Sequence, residues 1–299
     1  MKRMATLATV SLLLDKDSER PGVNIERSLA ALDEAARWKP DLITLPEEIN
    51  YAGLAPEYMA KAGEEIPGGA IVESFARRAR KHGVNVVVGL REREGNRLLN
   101  TGVVIDRRGE VVGKYRKTHL APGESDEVEA GDDYPVFQLD FGKVGVMICM
   151  DIHYPEPWRI LALQGADVIA HPTMWRDYTG DMCESLVNAR AIDNQVCVVT
   201  SHYVNVPFLT GAAMGHSRIV DPYGRTRAST SHIPGVAVAE VDLDEAYEYW
   251  VTGELKKKYP TLKECFLADR RPETYGILTR PDSQNSWKIE EPTLRAPED

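Results

Sequence analysis

Hydrophobic positions fall along the chain in short runs separated by stretches with a helical repeat. Ala5 to Leu14 is an apolar run bounded by Lys2-Arg3 and by Asp15-Lys16-Asp17, as expected for a buried first strand. Pro21-Gly22 opens an amphipathic stretch through Leu29, Leu32 and Ala36, and Asp41 to Leu45 reads as a second strand. Ala70 to His82 repeats as a helix with a basic outer face, and Val84 to Leu90 is a β-branched strand closed by a charged turn, Arg91 to Glu94. Leu98 to Asp106 and Val111 to Tyr115 flank Gly109 as a hairpin. Phe137, Leu139 and Phe141 alternate, as do Val144, Val146 and Ile148, which puts Met147 and Cys149 on the other face of one strand with Cys149 at its end.

Downstream, Pro155-Glu156-Pro157 suits the first turn of a helix running through Leu161 to Gly165. Asp167 to Ala170 is predicted as a strand, Asp181 to Asn194 as a helix and Val196 to Thr200 as a strand. Pro222-Tyr223-Gly224 turns a hairpin leading to the strand Val236 to Val241. The alternation predicts an α/β body over residues 1–280, followed by a polar tail over 281–299.

Composition narrows the function. With 36 Lys and Arg against 46 Asp and Glu, the chain of 299 residues carries a net charge of -10, which argues against nucleic acid or an anionic membrane surface as partner. Hydrophobic residues make up 43% and charged residues 27%, as in ordinary folded soluble proteins. Met1-Lys2-Arg3 and the apolar run resemble the start of a signal peptide, but no small-residue cleavage site follows, so the run is read as a strand. No later stretch approaches the ~18 apolar residues of a spanning helix. Cys149, Cys183, Cys197 and Cys265 are widely spaced without a C-x-x-C pair, which points to reduced thiols and a cytoplasmic location.

Three segments at predicted strand ends carry chemistry: Leu45-Pro46-Glu47-Glu48, Tyr115-Arg116-Lys117-Thr118-His119-Leu120 and Ile148-Cys149-Met150-Asp151-Ile152-His153. Alone, Glu47 reads as a loop carboxylate, Lys117 as a surface charge and Cys149 as a small buried hydrophobe. Together they supply a thiol nucleophile, a carboxylate able to take its proton, and a cation which, with the Met150 amide, can stabilise an oxyanion.

Glu47, Lys117 and Cys149 stand in that order, 70 residues separating the first two, and in this the chain resembles the nitrilase, or carbon-nitrogen hydrolase, superfamily with its Glu-Lys-Cys triad. The resemblance extends over Ile66-Pro67-Gly68, Asn100-Thr101-Gly102, Gly142-Lys143-Val144-Gly145, Ala189-Arg190-Ala191 and Arg270-Arg271-Pro272-Glu273-Thr274-Tyr275. It implies an α-β-β-α sandwich, two central sheets with outer helices, and a homodimer or higher homo-oligomer in which the chain after Leu262 reaches across the partner. It also implies hydrolysis through a thioester without cofactor or metal. Glu124 occupies the place of the family's second glutamate, with Glu127 as the fallback.

Met150-Asp151 after the cysteine looks like the amide- and N-carbamoyl-cleaving branches rather than the nitrile-cleaving relatives, which commonly have Trp-Glu there. Ile152-His153 replaces the arginine pair of N-carbamoyl-D-amino-acid hydrolases, and Tyr249-Trp250 to Tyr259 is loosely similar to β-ureidopropionase-like relatives. The expected partner is therefore a small amide or N-carbamoyl compound, with a nitrile as the alternative substrate. Tyr51, Tyr154, Trp175, His202 and Tyr203 follow strand ends where they can line the mouth of the site. Competing readings are a metal hydrolase built on His119, His153, His171 and Asp151, a papain-like cysteine-histidine pair, and a silent scaffold retaining the fold.

Overall fold

The computed structural model describes residues 2–15, 20–174, 181–204, 215–245, 259 and 261–280. The strands are β1 (Met4–Leu13), β2 (Leu42–Thr44), β3 (Asn85–Glu94), β4 (Arg97–Ile105), β5 (Val111–Arg116), β6 (Val136–Gln138), β7 (Lys143–Val146), β8 (Val168–Pro172), β9 (Cys197–Val204), β10 (Arg218–Val220), β11 (Thr226–Ser229) and β12 (Gly235–Asp242). The α-helices are α1 (Val23–Ala35), α2 (Pro56–Met59), α3 (Ala70–His82), α4 (Pro155–Leu163), α5 (Asp181–Asn194) and α6 (Leu262–Ala268).

The apolar run at the start of the chain becomes the central strand. β1 pairs with β2 on one side; on the other it pairs with β12 from Met4 to Ser11 and with β9 from Ser11 to Leu13. That change of neighbour joins two half-sheets into the order β5-β4-β3-β2-β1-β9-β8-β7-β6, with β12 beside β1 and β10-β11 beside β9. Side chains alternate across β1, so Ala5 and Leu7 enter one core cluster and Ala8, Val10 and Leu12 the other.

The second of these cores lies under α1 and α3. α3 buries Val72, Phe75, Ala76 and Ala79, the i, i+3, i+4, i+7 spacing of one helical face, and ends at Gly83 with φ 66°. The first core is filled from both half-sheets and from α4 and α5, including Leu42, Val87, Val104, Val144, Val146, Trp158, Leu161 and Val187. The half-sheets meet closely where Gly102 of β4 faces β7: a Cβ there would lie 2.6 Å from Val146 Cγ1. The architecture is an α-β-β-α sandwich.

Two local expectations change. The strand predicted to stop at Leu90 continues as β3 through Arg91 to Glu94, with Arg91 and Glu92 at 2% and 1% exposure. Those charges are paired, which makes their burial tolerable. Arg91 Nε donates to Glu48 at 2.7 Å, and Glu92 accepts from Thr101 Oγ1 at 2.7 Å and from Arg116. Further on, β7 ends at Val146, and Cys149 opens a 3₁₀ turn, Cys149–His153, instead of closing the strand. The tail over 281–299 and the segment Tyr249-Trp250 lie outside the described residues. Among those described, no helix is long and apolar enough to cross a membrane.

Candidate active site

Three strand ends open on one cavity of about 580 Å³. The segment after β2 delivers Glu47, the segment after β5 delivers Lys117, and the turn after β7 delivers Cys149. Glu47 sits against β3 because position 89 is glycine: a Cβ there would lie 2.5 Å from Glu47 Cα. The Tyr203 hydroxyl, from β9, donates to the Glu47 carbonyl at 2.7 Å and anchors the segment from behind.

The polar centre is buried and almost fully partnered. Lys117 Nζ donates to Glu47 Oε1 at 2.9 Å and to Glu124 Oε2 at 2.7 Å, so one ammonium is bracketed by two carboxylates. Asn100 Nδ2 donates to the same two residues, at 2.7 Å to Glu47 Oε1 and 2.9 Å to Glu124 Oε1. The Met174 amide donates to Glu47 Oε2 at 2.6 Å, and the Ala121 amide to Glu124 Oε2 at 2.8 Å. Burial pulls the Lys117 ammonium down, but Glu47 and the other acidic neighbours outweigh it and hold it well above the ordinary lysine range. Burial pushes the Cys149 thiol up, Glu47 adds to the rise, and Lys117 and a Thr173 hydrogen bond oppose it. The resting pair is thus a charged ammonium beside a neutral thiol, and an adjacent carboxylate is needed to make that thiol nucleophilic.

The turn bearing Cys149 is held in an unusual shape. Cys149 has φ 43°, a left-handed conformation that costs a non-glycine residue about 1–3 kcal/mol and persists only where the surroundings impose it. Asp151 Oδ2 accepts the Ile148 amide at 2.8 Å and the Tyr115 hydroxyl at 2.6 Å, while Oδ1 lies 2.8 Å from His119 Nδ1. Trp158 Nε1 donates to the Asp151 carbonyl at 2.9 Å, and Arg190 donates to the Ile152 carbonyl through Nε and Nη2 at 3.1 and 2.9 Å. His171 Nε2 donates to the Cys149 carbonyl at 3.2 Å, which fixes its tautomer; burial lowers its pKa to about 4, so it stays neutral. The amides of Cys149 and Met150 stand ahead of the first bond inside the turn, Asp151 N to Ile148 O at 3.0 Å, where helical turns leave donors free for an anion.

Glu47, Lys117, Glu124, Cys149, Met150 and Tyr51 all line the cavity. Glu127 lines it as well but bonds to Tyr51 and Arg91, so it is Glu124 that contacts Lys117. Three expected lining residues lie elsewhere, Tyr203 among them, fully buried with its hydroxyl on the Glu47 carbonyl. Tyr154 is not among those lining the cavity: its ring stacks on His119, 3.8 Å between centroids, and is 37% exposed. His202 is buried within β9, its amide donating to Ser217 Oγ at 2.8 Å and its Nδ1 accepting the Tyr203 amide at 2.7 Å. Trp175 lies outside the described residues.

Missing from the sequence reading were Glu48, Arg91, Met174 and Met182 as lining residues. Asn100 was visible only as part of the Asn-Thr-Gly motif. His153 lines the cavity, but Asp151, His119 and His171 are engaged in holding the turn that bears Cys149. Among the described residues no group of three or more His, Cys, Asp or Glu is placed to hold a metal ion.

Comparison with known proteins agrees with this architecture. The family model for carbon-nitrogen hydrolases matches residues 16–250. A nitrilase from Pyrococcus abyssi is 35% identical over 263 residues, 85% of this chain and 94% of its own length. A deaminated glutathione amidase from Bos taurus is 30% identical over 275 residues, 86% of this chain and 80% of its own. The crystal structure of an amidase from Nesterenkonia sp. superposes with a TM-score of 0.74 at 22% identity, covering 91% of this chain and 95% of that one. On the extent of the family match and on these relatives, the chain belongs to the carbon-nitrogen hydrolase family of the nitrilase superfamily.

Proposed function

We propose that the protein hydrolyses the C–N bond of a small amide or N-carbamoyl compound through a thioester on Cys149. The observation that carries this is the convergence of Glu47, Lys117, Glu124 and Cys149 on one cavity, with the Lys117 ammonium bracketed by Glu47 and Glu124. In the forward step the Cys149 sulfur bonds to the carbonyl carbon while its proton passes to Glu47. The oxygen gains negative charge facing Lys117 Nζ and the Met150 amide, donors already in place when the charge develops. Collapse breaks the C–N bond as Glu47 returns the proton to nitrogen, and ammonia or an amine leaves. Water then attacks the thioester with Glu47 again taking the proton, which releases the acid and restores the thiol. Glu124 and Asn100 keep Lys117 and Glu47 at fixed separation.

The amidase name of the bovine relative supports the amide part of this reading, and the archaeal relative named a nitrilase supports a nitrile as second reading. The homo-oligomer belongs to the same proposal: Ile160, Leu163 and Ile192 on α4 and α5 expose apolar side chains suited to self-association. Intact-protein mass spectrometry with ammonia detection over small amides, N-carbamoyl amino acids and nitriles tests the chemistry. Wild type should show a transient acyl adduct and release ammonia with at least one class, and Cys149→Ala should show neither while remaining folded. Undiminished turnover in Cys149→Ala would sink the proposal.

A further inference from the structure

Glu127 has no part in the chemistry above, yet it fills a well-made seat. Its Oε2 accepts the Tyr51 hydroxyl at 2.5 Å and Arg91 Nη1 at 2.9 Å. The Arg91 guanidinium lies 3.3 Å from the centre of the Tyr51 ring, and its Nε is taken by Glu48 at 2.7 Å. Nη2 of Arg91 makes no hydrogen bond among the described residues. The seat and its occupant differ in burial: the Arg91 side chain is 3% exposed, that of Glu127 49%. Arg91, Tyr51 and Glu127 all line the cavity that holds Cys149.

A planar guanidinium with a hydroxyl aimed at the same oxygen is the donor arrangement that recognises a carboxylate. We propose that Arg91 and Tyr51 form the receptor for a carboxylate at the far end of the substrate, and that Glu127 occupies it until substrate arrives. The substrate class is then an amide or ureido compound with a terminal carboxylate a few bonds from the scissile carbonyl. This rests on the hydrolytic reading of Cys149. Exchange leaves the number of charges around Arg91 unchanged, and Glu127, already half in water, regains hydration as it swings out. Elsewhere in the cavity a substrate carboxylate would face Glu47 and Glu124, so the receptor also sets direction: carboxylate toward Arg91, amide toward Lys117 and Cys149.

Three amides of similar size read the receptor: succinamate, butyramide and 3-aminopropionamide, ending in a carboxylate, a methyl group and an ammonium. Wild type should favour succinamate over butyramide in kcat/KM by about tenfold or more, as expected for charge-assisted hydrogen bonds. Tyr51→Phe should reduce that preference several-fold and Arg91→Lys further, since lysine lacks the fork. Glu127→Ala should raise the preference by lowering KM for succinamate alone. Preference for 3-aminopropionamide, or none among the three, would overturn the proposal. So would an equal fall of kcat for all three in Glu127→Ala, the mark of a loop anchor. If wild type turns over none of them, alkylation of Cys149 by iodoacetamide still decides: succinate should slow it in wild type and several-fold less effectively in Tyr51→Phe. Absence of that protection overturns the receptor whatever the fate of the hydrolytic reading.

Discussion

Two cations stand side by side in the cavity, each bracketed by one glutamate from the segment after β2 and one from the loop after β5. Lys117 lies between Glu47 and Glu124, and Arg91 between Glu48 and Glu127. The side chains of the first bracket are 2%, 3% and 12% exposed, and Asn100 ties its two carboxylates together. The second bracket begins just as deep, at Glu48, but ends at a carboxylate half in water. The same order of charges therefore makes a fixed unit in one place and an exchangeable one in the other. Burial decides which, because a carboxylate without access to water cannot trade its partner for hydration.

The largest expected effect comes from removing the fixed cation. Lys117→Met leaves Glu47 and Glu124 facing each other without compensation, which should cost roughly 3–5 kcal/mol of stability along with all activity. Arg91→Met should cost less in denaturant unfolding, roughly 1–3 kcal/mol, because Glu127 turns to water and Glu48 takes up a proton. Equal losses in the two variants would break the distinction between the brackets.

A pH series sharpens it. Burial, opposed by Arg91 and reinforced by Glu47, raises the Glu48 pKa from 4.5 to about 7. Between those values the folded chain holds a proton that the unfolded chain has lost, so this contribution to stability falls as pH rises through the window. His171 works the other way: its pKa drops from 6.5 to about 4, so its contribution falls as pH drops from 6.5 toward 4. The two slopes oppose each other over most of their range. Unfolding midpoints across this range should show the His171 slope more steeply in Glu48→Gln and the Glu48 slope in His171→Asn. Superimposable profiles for wild type and Glu48→Gln would mean that Glu48 is charged throughout.

The smallest effect belongs to the exposed end. Glu127→Gln should change stability by under about 1 kcal/mol, the usual worth of a half-exposed ion pair. Glu124→Gln, at the buried end of the other bracket, should cost more in the same assay and lower kcat as well.

Much of this was readable along the chain. Glu47, Lys117 and Cys149 each sit where an apolar run gives way to polar residues, and strand ends are where a sheet presents side chains to a cleft. α3 was predicted at its full extent, Ala70 to His82, because the helical repeat and Gly83 define both face and end. Arg91 was not readable: in sequence it opens a run of four charges that resembles a turn, and its place in the strand depends on pairing with Asn100 of β4 and on Glu48, 43 residues away, which takes its charge. The outcome was similar for Tyr154 and His202, aromatics after apolar runs: the first stacks on His119 and the second is buried within β9. Glu124 and Glu127 lie on the same acidic loop, and linear order does not say which meets Lys117.

The sequence alone indicated an α/β chain and the order of its main elements, because apolar periodicity is a local property, and the family resemblance singled out Glu47, Lys117 and Cys149, which the structure places on one cavity. Tertiary structure decided which charges are buried, which glutamate holds which cation and which aromatics face the cavity. Those outcomes depend on desolvation and on partners brought together from distant segments, and neither exists until β1 has joined the two half-sheets.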